Sequence, residues 1–233
     1  MLPIRRIDVA ASDPAATRDF FAVFGYVDGG DDVLSRSAGA SVRISRSNAQ
    51  GVVRRGWDLG PRGLDVYVHD LDEALTRVEV AGWSGGAIGA IALGPVRMRQ
   101  VLVAGPDGVP VVMVESSHRR PSLLDTESHW CSEIYSVVWC VRDRDVEASL
   151  WTAAGATAGP PLEFADPSLG AYLDLPVADA PLRMITLASD DGASTRLELL
   201  SFPGHVASPT SRGAGVTGLL FGAAAPDGSE IAA

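Results

Sequence analysis

The chain of 233 residues has no lysine; all 19 of its basic residues are arginine. Against them stand 29 acidic residues, for a formal charge of −10 at pH 7. A protein that neutralises phosphates needs clustered positive charge, so no nucleic-acid partner is expected. Cysteine is scarce: Cys131 and Cys140 are the only two, too few for a disulfide framework and without the Cys-His clustering of a zinc site. A cytoplasmic, reducing setting is the expectation. Long apolar runs are missing too. None approaches the ~20 residues of a membrane helix, and Met1 to Asp8 hold no run long enough for a signal peptide. No membrane partner is expected. His-Glu-x-x-His is absent, and Gly85, Gly86 and Gly89 follow a helical stretch rather than open one, which excludes a phosphate loop.

What is present is a repeat. Three segments share one plan: Arg6 to Asp13 and then a helical stretch to Gly25; Gly63 to Asp70 and then to Gly82; Ser136 to Asp143 and then to Gly155. The spacing from Asp to Gly is 12 in all three. Each first strand alternates with period two, as Leu64, Val66 and Val68 do against Asp65, Tyr67 and His69. The Asp is an N-cap candidate and the Gly a C-cap with positive φ. Between them Leu71, Ala74, Leu75 and Val78 mark a helical face. Short strands follow at 88–93, 97–103 and 109–115 in the second copy, with a turn at Gly105-Pro-Asp-Gly108. The third copy ends on a strand at 195–200, preceded by Asp190-Asp-Gly192. A fourth copy begins at Gly218 and reaches Asp227-Gly-Ser-Glu230.

Repeated βαβββ units with Asp-capped helices, and a Pro-Asp-Gly turn before a strand ending in Glu115, resemble the vicinal-oxygen-chelate superfamily. That group holds the glyoxalases, bleomycin-resistance proteins and extradiol dioxygenases. Residues 64–115 carry most of the resemblance and residues 134–202 a weaker second part. It implies an α+β fold in which repeated βαβββ modules pair into half-open β-barrel bowls with the helices outside. The expected domains are 1–117 (units about 1–50 and 60–117) and 134–233 (a full unit 134–202 and the start of another from about 213), joined by a linker at 118–133. A homodimer is the family expectation.

The resemblance also implies where a metal would sit. First-strand ligands lie seven residues before the capping Asp, where this chain has Arg6, Gly63, Ser136 and Gly218. Glu115 and Glu198 are the matches to the last-strand ligand slot. One bowl, from units one and two, would present Arg6, Gly63 and Glu115, with Arg6 and Glu115 as an ion pair. No catalytic residue and no cofactor is assigned; a divalent iron, manganese, nickel or zinc at a rearranged site is the alternative. The ligand-binding candidates are Arg6, Asp8, Asp65, Tyr67, Glu115, Ser136 and Glu198. Against them stand blander readings: Arg6 neutralising an inherited carboxylate, and Asp8, Asp65 and Tyr67 on a solvated sheet face. Three functions compete. The first is binding of a small molecule in the bowl without the metal. The second is a metal-dependent lyase, isomerase or ring-cleaving dioxygenase. The third is a vestigial bowl in a structural or regulatory module, which an apolar, filled bowl would favour.

Overall fold

The computed structural model describes residues 4–49, 58–126, 129–173, 175, 180–188, 195–204 and 214–221. Trp57, His205, the turn at 190–192 and the segment 227–230 lie outside the described residues. Unit one comprises β1 (Ile4–Ala11), α1 (Pro14–Val23), β2 (Val27–Asp28), β3 (Val33–Ser35) and β4 (Ser41–Arg46). Unit two comprises β5 (Gly60–Val68), α2 (Leu71–Val80), β6 (Gly85–Leu93), β7 (Val96–Ala104) and β8 (Pro110–Ser116). A short helix, α3 (Leu123–Thr126), lies in the connection to unit three. Unit three comprises β9 (Cys131–Cys140), α4 (Arg144–Ala153), β10 (Thr157–Ala158), β11 (Leu162–Phe164), α5 (Pro167–Leu173), β12 (Leu182–Ala188) and β13 (Arg196–Ser201). β14 (Gly215–Phe221) is the strand expected to open a fourth unit.

The repeat is physical. The Asp13 carboxylate accepts from the Ala15 and Ala16 amides, Asp70 from Glu73, and Asp143 from Asp145 and Val146. Each bond satisfies an amide that a helix start leaves without a partner. Gly25, Gly82 and Gly155 end the helices with φ of 79°, 91° and 93°, which glycine adopts without a Cβ clash. In every unit the first strand lies parallel to the last: β1 with β4, β5 with β8, β9 with β13.

The units pair differently from the expectation. β5 runs antiparallel to β9, so units two and three form one nine-stranded sheet, in the order β10-β12-β13-β9-β5-β8-β7-β6 with β11 also on β12. Unit one instead shares a five-stranded sheet with β14, ordered β14-β1-β4-β3-β2. The expected bowl of units one and two is therefore corrected to a bowl of units two and three. Apolar alternation tells which face of a strand is buried, not which strand lies beside it. β5 is buried along its whole length and β9 nearly so, as strands in the middle of a covered sheet are.

The convex faces of both sheets close on one core, with Ile7 and Val9 of β1, Phe20 and Phe21 of α1, and Leu64 and Val66 of β5 among its members. Trp83, Trp130, Trp139 and Trp151 pack against this core. The turn before β8 ties the sheets together. Asp107 accepts from the Ser12 amide at 2.7 Å and from its hydroxyl at 2.8 Å. Gly105 lies so close to Phe20 that a Cβ would sit 2.5 Å from the ring. Among the described residues no helix is long and apolar enough to cross a membrane.

Candidate functional site

β5 and β9 form the floor of the bowl. Alternation places Gly63, Asp65 and Tyr67 of β5 on the concave side, facing away from the helix-packed Leu64, Val66 and Val68. Three breaks in the ladder modify this pattern, and two of them shape the cavity. Between Pro61↔Trp139 and Gly63↔Val138 one extra residue, Arg62, stands on β5. Between Asp65↔Ser136 and Val66↔Ile134 one extra residue, Tyr135, stands on β9. Such bulges re-aim a side chain, and both Arg62 and Tyr135 line the cavity. Tyr135 stacks on Tyr67 with centroids 3.7 Å apart and planes at 5°.

The polar centre is small and buried. Asp65 and Glu198 are each 6% exposed and both line the cavity. Arg196, two residues before Glu198 on the same face of β13, donates from Nη2 to Glu198 Oε1 and lies 5.3 Å over the Tyr135 ring. Burial works against the Arg196 charge, but Glu198 and the two tyrosines outweigh it and hold its pKa above the ordinary value. Asp65 moves the other way for a carboxylate. Burial and then the Glu198 charge push its pKa well above the usual range, with Arg196 opposing. Its Oδ1 has no hydrogen-bond partner among the described residues, and neither has the hydroxyl of Ser136, its neighbour across the ladder. Room for the Asp65 carboxylate comes from Gly63: a Cβ there would lie 2.8 Å from Asp65 Oδ1 and 2.9 Å from Val112 Cγ2.

The rest of the wall is apolar, with Val112 and Val114 of β8, Ile91 and Met98 of unit two, and Leu182 and Met184 of unit three. Helix α5, absent from the sequence reading, covers part of the mouth. It leaves unit three after β11 and packs across the bowl on the edge strand β6. Ser168 anchors it, donating to the Ala90 carbonyl and accepting from the Ala90 amide. Leu169, Tyr172 and Leu173 face inward, and Tyr172 lies where a side chain on Gly89 would be. The cavity beneath is about 130 Å³.

The candidate residues separate. Asp65, Tyr67, Ser136 and Glu198 come together on the two strands of the floor and the neighbouring β13. Arg6 and Asp8 are on the other sheet and pair with each other at 2.9 Å, with Arg43 also on Asp8. Glu115 faces the helix side, where its Oε2 accepts from the Leu71 amide at 2.9 Å and from Arg99 at 3.2 Å. The expected Arg6–Glu115 ion pair is thus corrected on both sides. The ladders also correct the slot. Asp65 opposes Val112 in unit two as Val138 opposes Glu198 in unit three, and Asp65 and Val138 both stand five residues before their capping Asp. Val112, not Glu115, is the counterpart of Glu198. Cys140, beneath α5, has its thiol pushed up to about 12, chiefly by burial.

No protein-family model and no curated protein sequence matches the chain. Solved structures do. Glyoxalase I from Zea mays matches with a TM-score of 0.65 at 15% identity, over 94% of this chain and 73% of that one. A mutant 4-hydroxymandelate synthase from Streptomyces coelicolor matches with a TM-score of 0.50 at 15% identity, over 90% and 72% of the two chains. The chain has the vicinal-oxygen-chelate fold.

Within the vicinal-oxygen-chelate fold, the slots facing the middle of this bowl hold Gly63, Val112, Ser136 and Glu198. Glycine and valine offer no ligand atom, and Glu198 is engaged by Arg196. Asp65 adds a second carboxylate, but Arg62 lines the same cavity. First-row divalent metals in N/O sites take imidazole and carboxylate ligands. Among the described residues no group of three or more His, Cys, Asp or Glu is placed to hold a metal. The donor set does not fit the metal that the fold implies. His69 is exposed, on the rim rather than in the bowl.

Proposed function

We propose that this protein binds a small organic molecule in the bowl of units two and three, and does so without a metal. The observation that carries the reading is the exchange of donors for other groups around the bowl. Glycine and valine fill two slots, an arginine neutralises the remaining glutamate, and a buried Asp65 retains an oxygen without a partner among the described residues. Buried polar atoms in a settled core find partners; one left over beside a cavity is a place for a ligand. In this proposal the binder is a cytoplasmic, homodimeric protein; that neither of the two buried cysteines is in a disulfide supports the reducing setting.

A ligand-observed NMR screen of mixed small fragments tests it. Fragments are expected to bind the native chain and to lose binding in Val138→Phe, which fills the cavity from the floor. Absence of any fragment whose signal responds to Val138→Phe would sink the reading. The vestigial-bowl reading has one observation in its favour, the apolar wall on which α5 packs. It gives no reason for the Asp65 oxygen and Ser136 hydroxyl to lack partners among the described residues, and it forecasts the negative result in the same screen.

A further inference from the structure

The dimensions of the closed bowl narrow the kind of molecule it takes. A cavity of roughly 150 Å³ with an apolar lining holds benzene, and this one measures about 130 Å³ with α5 in place. Two fused rings, a nucleotide or a peptide do not fit wholly beneath the seated helix. The lining suits a flat ring. Tyr135, Phe164 and Tyr172 present aromatic surface, and the thioethers of Met98 and Met184 lie on the same walls. Sulfur and ring edges attract one another favourably, and offset or edge contacts between rings add to burial.

The polar end of the cavity has a definite requirement. Arg196 is already bonded to Glu198. In its ionised form Asp65 Oδ1 is an acceptor without a donor among the described residues, in a residue 6% exposed that lines the cavity. The Gly63 backbone leaves open the space that this oxygen occupies. A ligand hydroxyl or amine pointing at Asp65 removes a buried unsatisfied group, which is costly to leave as it is.

We infer that the ligand is a molecule of single-ring size, apolar over most of its surface, that presents one hydrogen-bond donor to Asp65. The inference rests on the bowl being a ligand site. Selectivity then follows from the site: a ring without the donor leaves Asp65 unsatisfied and binds more weakly, and a larger ring system is excluded while α5 is seated.

Saturation-transfer NMR and calorimetry on the full chain with five probes test this: benzyl alcohol, benzylamine, toluene, benzoate and 2-naphthylmethanol. Benzyl alcohol or benzylamine is expected to bind at least ten-fold more tightly than toluene, and 2-naphthylmethanol not at all. In Asp65→Ala the advantage over toluene should disappear, while Val138→Phe should abolish binding of every probe. Circular dichroism and thermal melts establish that both variants are folded. Equal binding of toluene and benzyl alcohol overturns the donor requirement. Preference for benzoate overturns it too, by assigning the polar end to Arg62. Binding of 2-naphthylmethanol on a par with the single rings overturns the size limit. These results leave the bowl as a ligand site, because binding still depends on Val138. If none of the probes binds but the broader fragment screen finds Val138-dependent ligands, this inference falls alone. If neither finds any, the proposed function falls with it.

Discussion

At the scale of single residues, Asp65 concentrates the chemistry of the bowl. Burial and the Glu198 charge keep its proton to a higher pH than in the unfolded chain, where aspartates release theirs near ~4. Between those limits the native state binds the extra proton, so this site's contribution to stability falls as pH rises through the window. Asp65→Asn has no charge to bury. It is expected to be more stable than the native chain at neutral pH by about 1 kcal/mol, with the difference vanishing below about pH 4. Urea titrations at several pH values measure this; a variant less stable at neutral pH than at pH 4, relative to the native chain, contradicts it. Gly63 is coupled to the same group. A Cβ would meet Asp65 Oδ1 at 2.8 Å and Val112 Cγ2 at 2.9 Å, so Gly63→Ala should cost about 1–3 kcal/mol by overpacking. In the Asp65→Ala background the cost should shrink, because one of the two colliding atoms is gone. Equal costs in both backgrounds, from chemical denaturation of the four chains, would show that the two residues do not interact.

At the scale of elements, the caps were open to reading and the partners were not. The constant spacing from Asp to Gly located α1, α2 and α4 and named their capping residues. The same alternation that put Asp65 and Tyr67 on the concave face does not reach Tyr135, because a bulge shifts parity by one residue. Glu115 was misplaced for a related reason: counting to a strand's end does not give its register, and the ladder makes Val112 the counterpart of Glu198. Arg196 was readable in principle, since two residues' separation on a strand puts it beside Glu198 on one face. Helix α5 has seven residues and begins at Pro167, too short for a periodic pattern to show. Its hold on the rest of the sheet is local, through Ser168 and Tyr172 on β6. A short helix at a sheet edge opens before the core does. Cys140 belongs to the cluster beneath α5 and Cys131 to the main core. A thiol reagent under native conditions should therefore label Cys140 before Cys131, and Ser168→Ala should speed labelling of Cys140 alone. Equal rates with the same denaturant dependence would mean that α5 opens only with the whole chain.

At the scale of the whole molecule, two sheets of unlike role share one core. The nine-stranded sheet carries the cavity; the five-stranded sheet carries the Arg6–Asp8–Arg43 cluster on a face away from it. The turn at Asp107 is a joint between them, with two hydrogen bonds to Ser12 and a left-handed φ of 54°. Asp107→Ala removes both bonds and places a residue without a stabilising side chain in that conformation. A loss of about 1–2 kcal/mol is expected, read as a lower melting temperature with ligand binding in the bowl unchanged. A variant with native stability would show that the joint contributes nothing.

The central claim is that the bowl has the shape of a metal-chelating fold and the chemistry of an organic pocket. Its most direct test is metal content by mass spectrometry, after incubation of the native chain with iron, manganese, nickel and zinc salts and then dialysis. The account predicts substoichiometric metal in every case, unchanged in Glu198→Gln and Asp65→Asn. One metal ion per chain that survives dialysis and is lost in those variants would contradict it.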